Sequence, residues 1–175
     1  MQFNVAGLLK GPVGESQRHQ VDEVALPWED VQVLHVWGQV KLTRLNEGVW
    51  VKGDFRATVA CTCSRCLQTY QATMRFPFNE TYYPTLDINS GTPVAPPEDA
   101  ETDTIIDGHH TLDIAEALRQ DVILAVPMKP LCKPDCAGIC PQCGQDLNQA
   151  ACRCPQEAID PRLSPLLRFL PQQKN

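Results

Sequence analysis

Cysteine is the residue type here whose number and spacing ask for chemistry. Cys132, Cys136, Cys140, Cys143, Cys152 and Cys154 fall within one short stretch, "CKPDCAGICPQCGQDLNQAACRC". Cys140-Pro-Gln-Cys143-Gly sets two thiolates three positions apart on a tight turn, where both sulfurs reach one metal ion and turn N–H groups can hydrogen-bond them. Pro141 fixes φ inside that turn, and Gly144 allows the positive φ with which such a knuckle closes. Cys152-Arg-Cys154 is the matching half, less regular because sulfurs two positions apart splay unless the backbone bends. Cys132 and Cys136, one helical turn apart in spacing, could replace either half. Four thiolates with no histidine in the stretch favour a structural zinc ion in closed tetrahedral coordination, since catalytic zinc keeps an open position. An iron–sulfur cluster or a redox dithiol is the alternative. A set of unligated buried cysteines fits poorly with a segment so rich in Pro, Gly, Asn and Gln.

A second group, Cys61-Thr-Cys63-Ser-Arg-Cys66, stands at a strand end. Cys63 and Cys66 have ligand spacing and, with Cys132 and Cys136, could complete another four-thiolate site. Equally, they could be half-buried residues at a turn with Arg65 pointing outward. A thioredoxin-like pair is disfavoured, because that motif opens a helix in a βαβ unit and this one lies between strands. No nucleophile-and-base set, phosphate-binding glycine loop or HExxH motif accompanies the thiols, and His109-His110 reads as a solvated pair. Nothing in the chain asks for an enzyme or a small-molecule substrate.

The elements that must position these residues are legible in part. "VQVLHVWGQVKLTRLNEGVWVKGDFRATVACTC" reads as extended structure turning at Asn46-Glu47-Gly48. In its second half Val49, Val51, Phe55, Ala57 and Val59 share one face, and Trp50, Lys52, Asp54, Arg56 and Thr58 the other. "TYQATMRFPFNETYYP" supplies a further strand, and another is expected around Phe3–Leu9. Residues 85–110, rich in Pro, Gly, Asp and Thr, follow neither period and read as a flexible acidic loop. "TLDIAEALRQDVILAVP" has helical spacing of Leu112, Ala115, Leu118, Val122 and Ala125, predicting a helix over about 112–126 capped by Thr111 or Asp113 and ended by Pro127. A short helix from Asp160 is predicted by Pro161 at its first position. The expected architecture is α+β in one compact domain. Residues 1–84 form an antiparallel, barrel-like sheet, 85–110 the loop, and 111–175 the helix and the zinc-binding segment.

Charge is segregated. Glu80, Asp87, Glu98, Asp99, Glu101, Asp103 and Asp107 follow one another with no Lys or Arg between them, so that stretch carries −7 and, against a formal net charge of −6, the rest of the chain sums to about +1. From Gly38 to Phe76, Lys41, Arg44, Lys52, Arg56, Arg65 and Arg75 face only Glu47 and Asp54. No apolar run has the length of a membrane span, and the N-terminus lacks a secretory pattern. Nine cysteines, an odd number, argue against a disulfide framework. A cytoplasmic protein is the expectation.

"CSRCL" at Cys63–Leu67, "VPMKPLC" at Val126–Cys132, "CAGICPQCGQDLN" at Cys136–Asn148, "CRC" at Cys152–Cys154 and "IDPRLSPL" at Ile159–Leu166 occur in the order of a known family. In these motifs the chain resembles the YceD family, the large ribosomal RNA subunit accumulation proteins, in its cysteine-rich form. The resemblance implies a role in the accumulation of large-subunit ribosomal RNA, and hence in ribosome assembly, with ribosomal RNA or a ribosomal or processing protein as partner. It brings no catalytic residues. Trp50, Lys52, Arg56 and Arg65 are the candidate partner-binding residues, cations beside an indole being suited to phosphate contact and base stacking. A zinc-dependent or thiol redox enzyme is the competing reading.

Overall fold

Side chains alternate between buried and exposed along almost the whole of the central strand, and the rest of the fold is organised around that strand. A computed structural model describes residues 1–26 and 28–154. The chain opens with β1 (Gln2–Asn4) and a short helix α1 (Ala6–Lys10), then forms an antiparallel meander of β2 (Ser16–Val24), β3 (Val33–Arg44), β4 (Val49–Thr62) and β5 (Thr69–Pro84). A two-residue strand β6 (Ile105–Ile106) runs parallel to the end of β5, and β7 (Thr111–Asp113) pairs with β1 before α2 (Ala115–Ala125). The architecture is α+β, mostly strand.

Val49, Val51, Phe55, Ala57 and Val59 are buried on the inner face, as their alternation predicts, and Lys52, Asp54 and Arg56 are exposed on the outer one. The Phe55 ring meets Phe78 edge-on at 5.8 Å and Phe76 at 6.2 Å between centroids. Two glycines make room for it. A Cβ at Gly38 would stand 2.6 Å from Phe55 Cδ1, and one at Gly53 would stand 2.7 Å from Cε2. Leu8 and Leu9 of α1 and Leu118 and Val122 of α2 complete the core over this face.

The sheet does not close into the barrel expected from sequence. Its order is β2-β3-β4-β5-β6, and β2 and β6 remain separate ends. β6 is too short to continue the ladder. β2 buries only Val21 and presents Arg18, Asp22 and Glu23, the charged character with which an edge resists further pairing. The two helices fill the space that a closed barrel would fill with strand side chains.

Two element boundaries also differ from expectation. The strand expected over Phe3–Leu9 stops at Asn4, and Leu8 and Leu9 enter the core from a helix instead. Leu112 reaches the core from β7, opposite Phe3, so the helix begins at Ala115. Asp113 still serves it, because its Oδ1 accepts the Ala115 N–H at 2.9 Å. Between Thr85 and His110 the chain forms no long element. A turn built on the Asp87 carboxylate and a single 3-10 turn at Thr102–Thr104 punctuate it. The helix predicted from Asp160 lies outside the described residues. Among those that are described, no helix is long and apolar enough to cross a membrane.

Candidate metal centres and the charged sheet face

The turn between β4 and β5 carries Cys63 and Cys66, and the segment after α2 carries Cys132 and Cys136. The fold brings these four sulfurs together, all within 4.8 Å of one another. Cys63 Sγ lies 3.8 Å from Cys136 Sγ, and Cys66 Sγ lies 3.6 Å from Cys132 Sγ. A tetrahedron with metal–sulfur bonds of about 2.3 Å requires sulfurs roughly 3.8 Å apart, so this donor set fits one tetrahedral ion. Local hydrogen bonds build the site. The Leu67 N–H closes the turn onto the Cys63 carbonyl at 3.0 Å, with Leu67 at φ 60°. Ser64 ties the turn to Pro130 through its N–H at 2.8 Å and its hydroxyl at 3.0 Å. Arg65 Nη1 donates to the Cys136 carbonyl at 2.9 Å.

Cys140, Cys143, Cys152 and Cys154 form a second set, again with all sulfurs within 4.8 Å. Here the knuckle geometry is present: the Gly144 N–H returns to the Cys140 carbonyl at 2.9 Å, and Gly144 has φ 72°. The Cys140 N–H donates to the Gln145 carbonyl at 2.8 Å. Cys140 is buried, Cys143 exposed and the other two half-buried, whereas in the first set only Cys132 is not fully buried.

The thiols of each set are driven apart in acidity. The backbone N–H of Cys66, with that of Cys132, lowers Cys63 to about 6, and the N–H groups of Cys143 and Gln142 lower Cys140 to about 6. Burial pushes Cys132 up to about 12, helped by the neighbouring sulfurs, and the Cys143 sulfur together with burial pushes Cys154 up to about 12. Burial also pushes Cys136 up, but the Asn148 amide and the Gly138 N–H outweigh it and leave that thiol lowered. Each set therefore holds a ready thiolate beside a thiol kept protonated, chiefly by burial at Cys132 and by the Cys143 sulfur at Cys154. A dipositive ion removes that conflict, and each set could hold one. Cys61 belongs to neither set; it is buried, and burial raises its thiol.

Cys132 and Cys136 thus stand with Cys63 and Cys66 rather than with the knuckle. Asn148, which sequence reading passed over, links the two sets. Its Nδ2 donates to Cys136 Sγ at 3.4 Å, and its Oδ1 accepts the Ala137 N–H at 2.9 Å. Asp146 holds Asn148 in turn and also accepts from Gln68 Nε2 at 3.0 Å. Only the "DLN" following a knuckle hinted at this.

Of the candidate partner-binding residues, Trp50, Lys52 and Arg56 share the outer face of β4, while Arg65 sits beyond the end of that strand, at the first thiolate set. Trp50 Nε1 donates to Asn79 Oδ1 at 2.7 Å, and Lys52 Nζ lies 5.5 Å from the centre of the Trp50 ring. Pairing adds residues that sequence reading left out: Lys41 stands opposite Lys52 with Arg18 beyond it, and Arg56 stands between Trp37 and Arg75.

An open α+β sheet stapled through its β4–β5 turn to a cysteine-rich segment, with two four-thiolate sets, defines a class of potential metal-binding domain. The chain belongs to the family of the large ribosomal RNA subunit accumulation protein YceD, whose model matches residues 51–170. Among curated proteins it is similar to uncharacterized proteins of Mycobacterium tuberculosis and Mycobacterium bovis, each 33 % identical over 133 residues covering 75 % of this chain and 60 % of theirs. A relative from Mycobacterium leprae is 30 % identical over 131 residues, covering 71 % of this chain and 57 % of its own. The matched region thus spans about 60 % of the length of these relatives. No solved structure matches the chain.

Proposed function

We propose that this protein is a non-enzymatic ribosome biogenesis factor, needed for accumulation of large-subunit ribosomal RNA and acting through surface contact with a ribosomal partner. The family supplies the process. The observation that carries the contact reading is the allocation of the cysteines. Eight of the nine stand in two four-sulfur sets, and the ninth, Cys61, is buried with a raised thiol. Zinc is the metal best suited to sets made only of thiolates, and once four sulfurs bind it no coordination position remains for a substrate. An ion in the first set then holds the segment 130–154 against the sheet, one in the second braces the segment itself, and the charged outer face is left as the working surface.

The test is complementation of cells depleted of the protein, with large-subunit ribosomal RNA as readout. Lys52→Glu with Arg56→Glu is expected to lower that RNA while the purified protein stays folded and metal-loaded. Cys140→Ser is expected to act through the amount of folded protein. The thiol redox reading has one observation in its favour, the acidity of Cys63 and Cys140 at about 6. It takes over if the protein purifies without metal, alkylates rapidly at one of these cysteines, and loses function on a cysteine change at full abundance and unchanged fold.

A further inference from the structure

The outer face of the sheet is unusual in how it treats like charges. Register places Arg18, Lys41 and Lys52 side by side on β2, β3 and β4, and places Arg56 beside Arg75 on β4 and β5. All five are exposed. Like charges directly opposite across strands destabilise a sheet, and three such neighbour pairs occur on one face. The acids available do little to relieve them. Asp54 is taken by Arg75, whose Nε and Nη2 donate to it at 2.7 and 2.6 Å, and Asp22 is taken by His35 at 2.6 Å. Among the described residues, Arg18, Lys41, Lys52 and Arg56 form no salt bridge.

Two indoles flank these cations. Trp50 lies one outward position before Lys52 on β4. Trp37 lies opposite Arg56, stacked on His35 with ring centres 4.5 Å apart. Six residues of strand separate the two rows, about 20 Å. Between them, a shallow hollow of about 410 Å³ is lined by Trp37, Gln39, Asp54, Arg56 and Arg75. Both indoles are only half-buried, so each has ring surface open to a partner.

We infer that this face binds single-stranded RNA, with Arg18, Lys41, Lys52 and Arg56 contacting phosphates and Trp37 and Trp50 stacking bases at either end. The inference rests on the contact reading of the protein and gives that contact its partner. The cations by themselves would suit any polyanion. The indoles decide for a nucleic acid strand, because unpaired bases offer faces to stack on whereas an acidic peptide offers none. A broad sheet face also suits a flexible strand better than a duplex, whose bases are already stacked on one another. The span matches the short end of the site sizes found for sheet-based single-strand binders, about four nucleotides.

The experiment uses the full-length metal-loaded protein and a fluorescent single-stranded RNA of about ten nucleotides, long enough for one such site. Four phosphate contacts predict about a 50-fold loss of affinity as salt rises from about 50 to about 200 mM. Lys41→Gln with Lys52→Gln should weaken binding by at least about tenfold and flatten that salt dependence. Trp50→Ala should weaken it by at least about fivefold with the salt dependence unchanged. Circular dichroism and metal content establish that each variant is folded; Trp50→Leu serves if Trp50→Ala is not. Duplex RNA of the same length and an aspartate decapeptide are the competitors. Weak competition by both supports the inference, and equal competition by either overturns it. So does binding that is indifferent to the lysine changes. If no RNA binds while Lys52→Glu with Arg56→Glu still lowers ribosomal RNA in cells, this inference falls and the contact reading survives with a protein partner. If RNA binds as described and the reversals change nothing in cells, RNA binding stands and the contact reading of the function fails.

Discussion

The two thiolate sets contain the same four donors, yet one is tertiary and the other local. In the first, Cys63 and Cys136 are 73 positions apart and Cys66 and Cys132 are 66 apart. All of the second set lies between Cys140 and Cys154, and it opens to solvent through Cys143. An ion in the first set would close the loop that contains β5, the acidic stretch and α2. An ion in the second would close only the segment that supplies its ligands. Treated as crosslinks, the longer loop is worth about 4 kcal/mol of lost chain entropy and the shorter about 3. Donor chemistry alone therefore does not say what a cluster does for a fold. The chain distance it spans decides whether its loss is global or confined.

Metal removal should give the largest difference. A structural zinc ion in a small module contributes apparent free energy of about 10 kcal/mol or more. Native mass spectrometry of the purified protein should show two ions. Mild chelation should remove one of them and leave the circular dichroism of the sheet intact, because the exposed set yields first. Removal of the second ion should loosen segment 130–154 from the β4–β5 turn, read as new proteolytic cuts there. Loss of both ions in one step with no intermediate would mean that the two sets bind and release metal as one unit.

Single substitutions should separate the two sets as well. Cys63→Ser should cost about 4 kcal/mol through the long loop and lower the thermal midpoint by about 10 °C. Cys143→Ser should leave the midpoint of the sheet nearly unchanged while opening Cys140–Cys154 to proteolysis. Equal midpoint shifts for the two would mean that the sets are not separate units.

The bond that joins the sets should show a smaller, more selective effect. Asn148→Ala removes the donor to Cys136 Sγ and the acceptor for the Ala137 N–H. Loss of such an outer partner typically weakens metal binding about 10- to 100-fold, here expected at the first set alone, by competition with a chromogenic chelator. Asp146 adds a pH signature. The Asn148 N–H and amide hold its carboxyl below the ordinary aspartate range. Its contribution is thus present above that range and lost as pH falls through and below it, a loss that Asp146→Asn should abolish.

What could be read from the chain follows the same division between local and distant. The knuckle at Cys140–Gly144 and the alternation of Val49–Val59 are local patterns, and both are found as read. β2 escaped notice because "SQRHQVDEV" buries only Val21, as an edge strand with one covered face and little core to contribute. The barrel expectation failed because alternation shows that a face is buried and says nothing of what covers it; helices cover this one. Lys41 and Arg75 were visible as charges, but their positions beside Lys52 and Arg56 depend on register. Register is set for Lys41 by the connection from Leu45 to Gly48, where the Leu45 N–H meets the Gly48 carbonyl at 2.9 Å, and for Arg75 by the β4–β5 turn, where the Cys63 N–H meets the Gln68 carbonyl at 2.9 Å.

Arg65 gives the smallest effect and the finest test, because sequence placed it with the partner-binding cations and the fold places it at a thiolate set. Its guanidinium donates to the Cys136 carbonyl, and Gly138 lies so close beneath it that a Cβ there would stand 3.2 Å from the Arg65 carbonyl oxygen. A hydrogen bond from a charged donor to a carbonyl contributes about 1.5–3 kcal/mol at most, and less where water competes, as it does for this exposed residue. Arg65→Ala should therefore lower stability by about 1 kcal/mol. It should speed release of the ion in the first set, leave that in the second set unaffected, and leave RNA affinity within twofold of the parent, at about the noise of the measurement. Arg65→Lys should rescue part of the loss, because the contact is a single hydrogen bond that an ammonium can also donate. A large loss of RNA binding with both ions retained would return Arg65 to the partner surface. It would also mean that the working face extends past the outer face of β4 onto the β4–β5 turn, within reach of the buried thiolates.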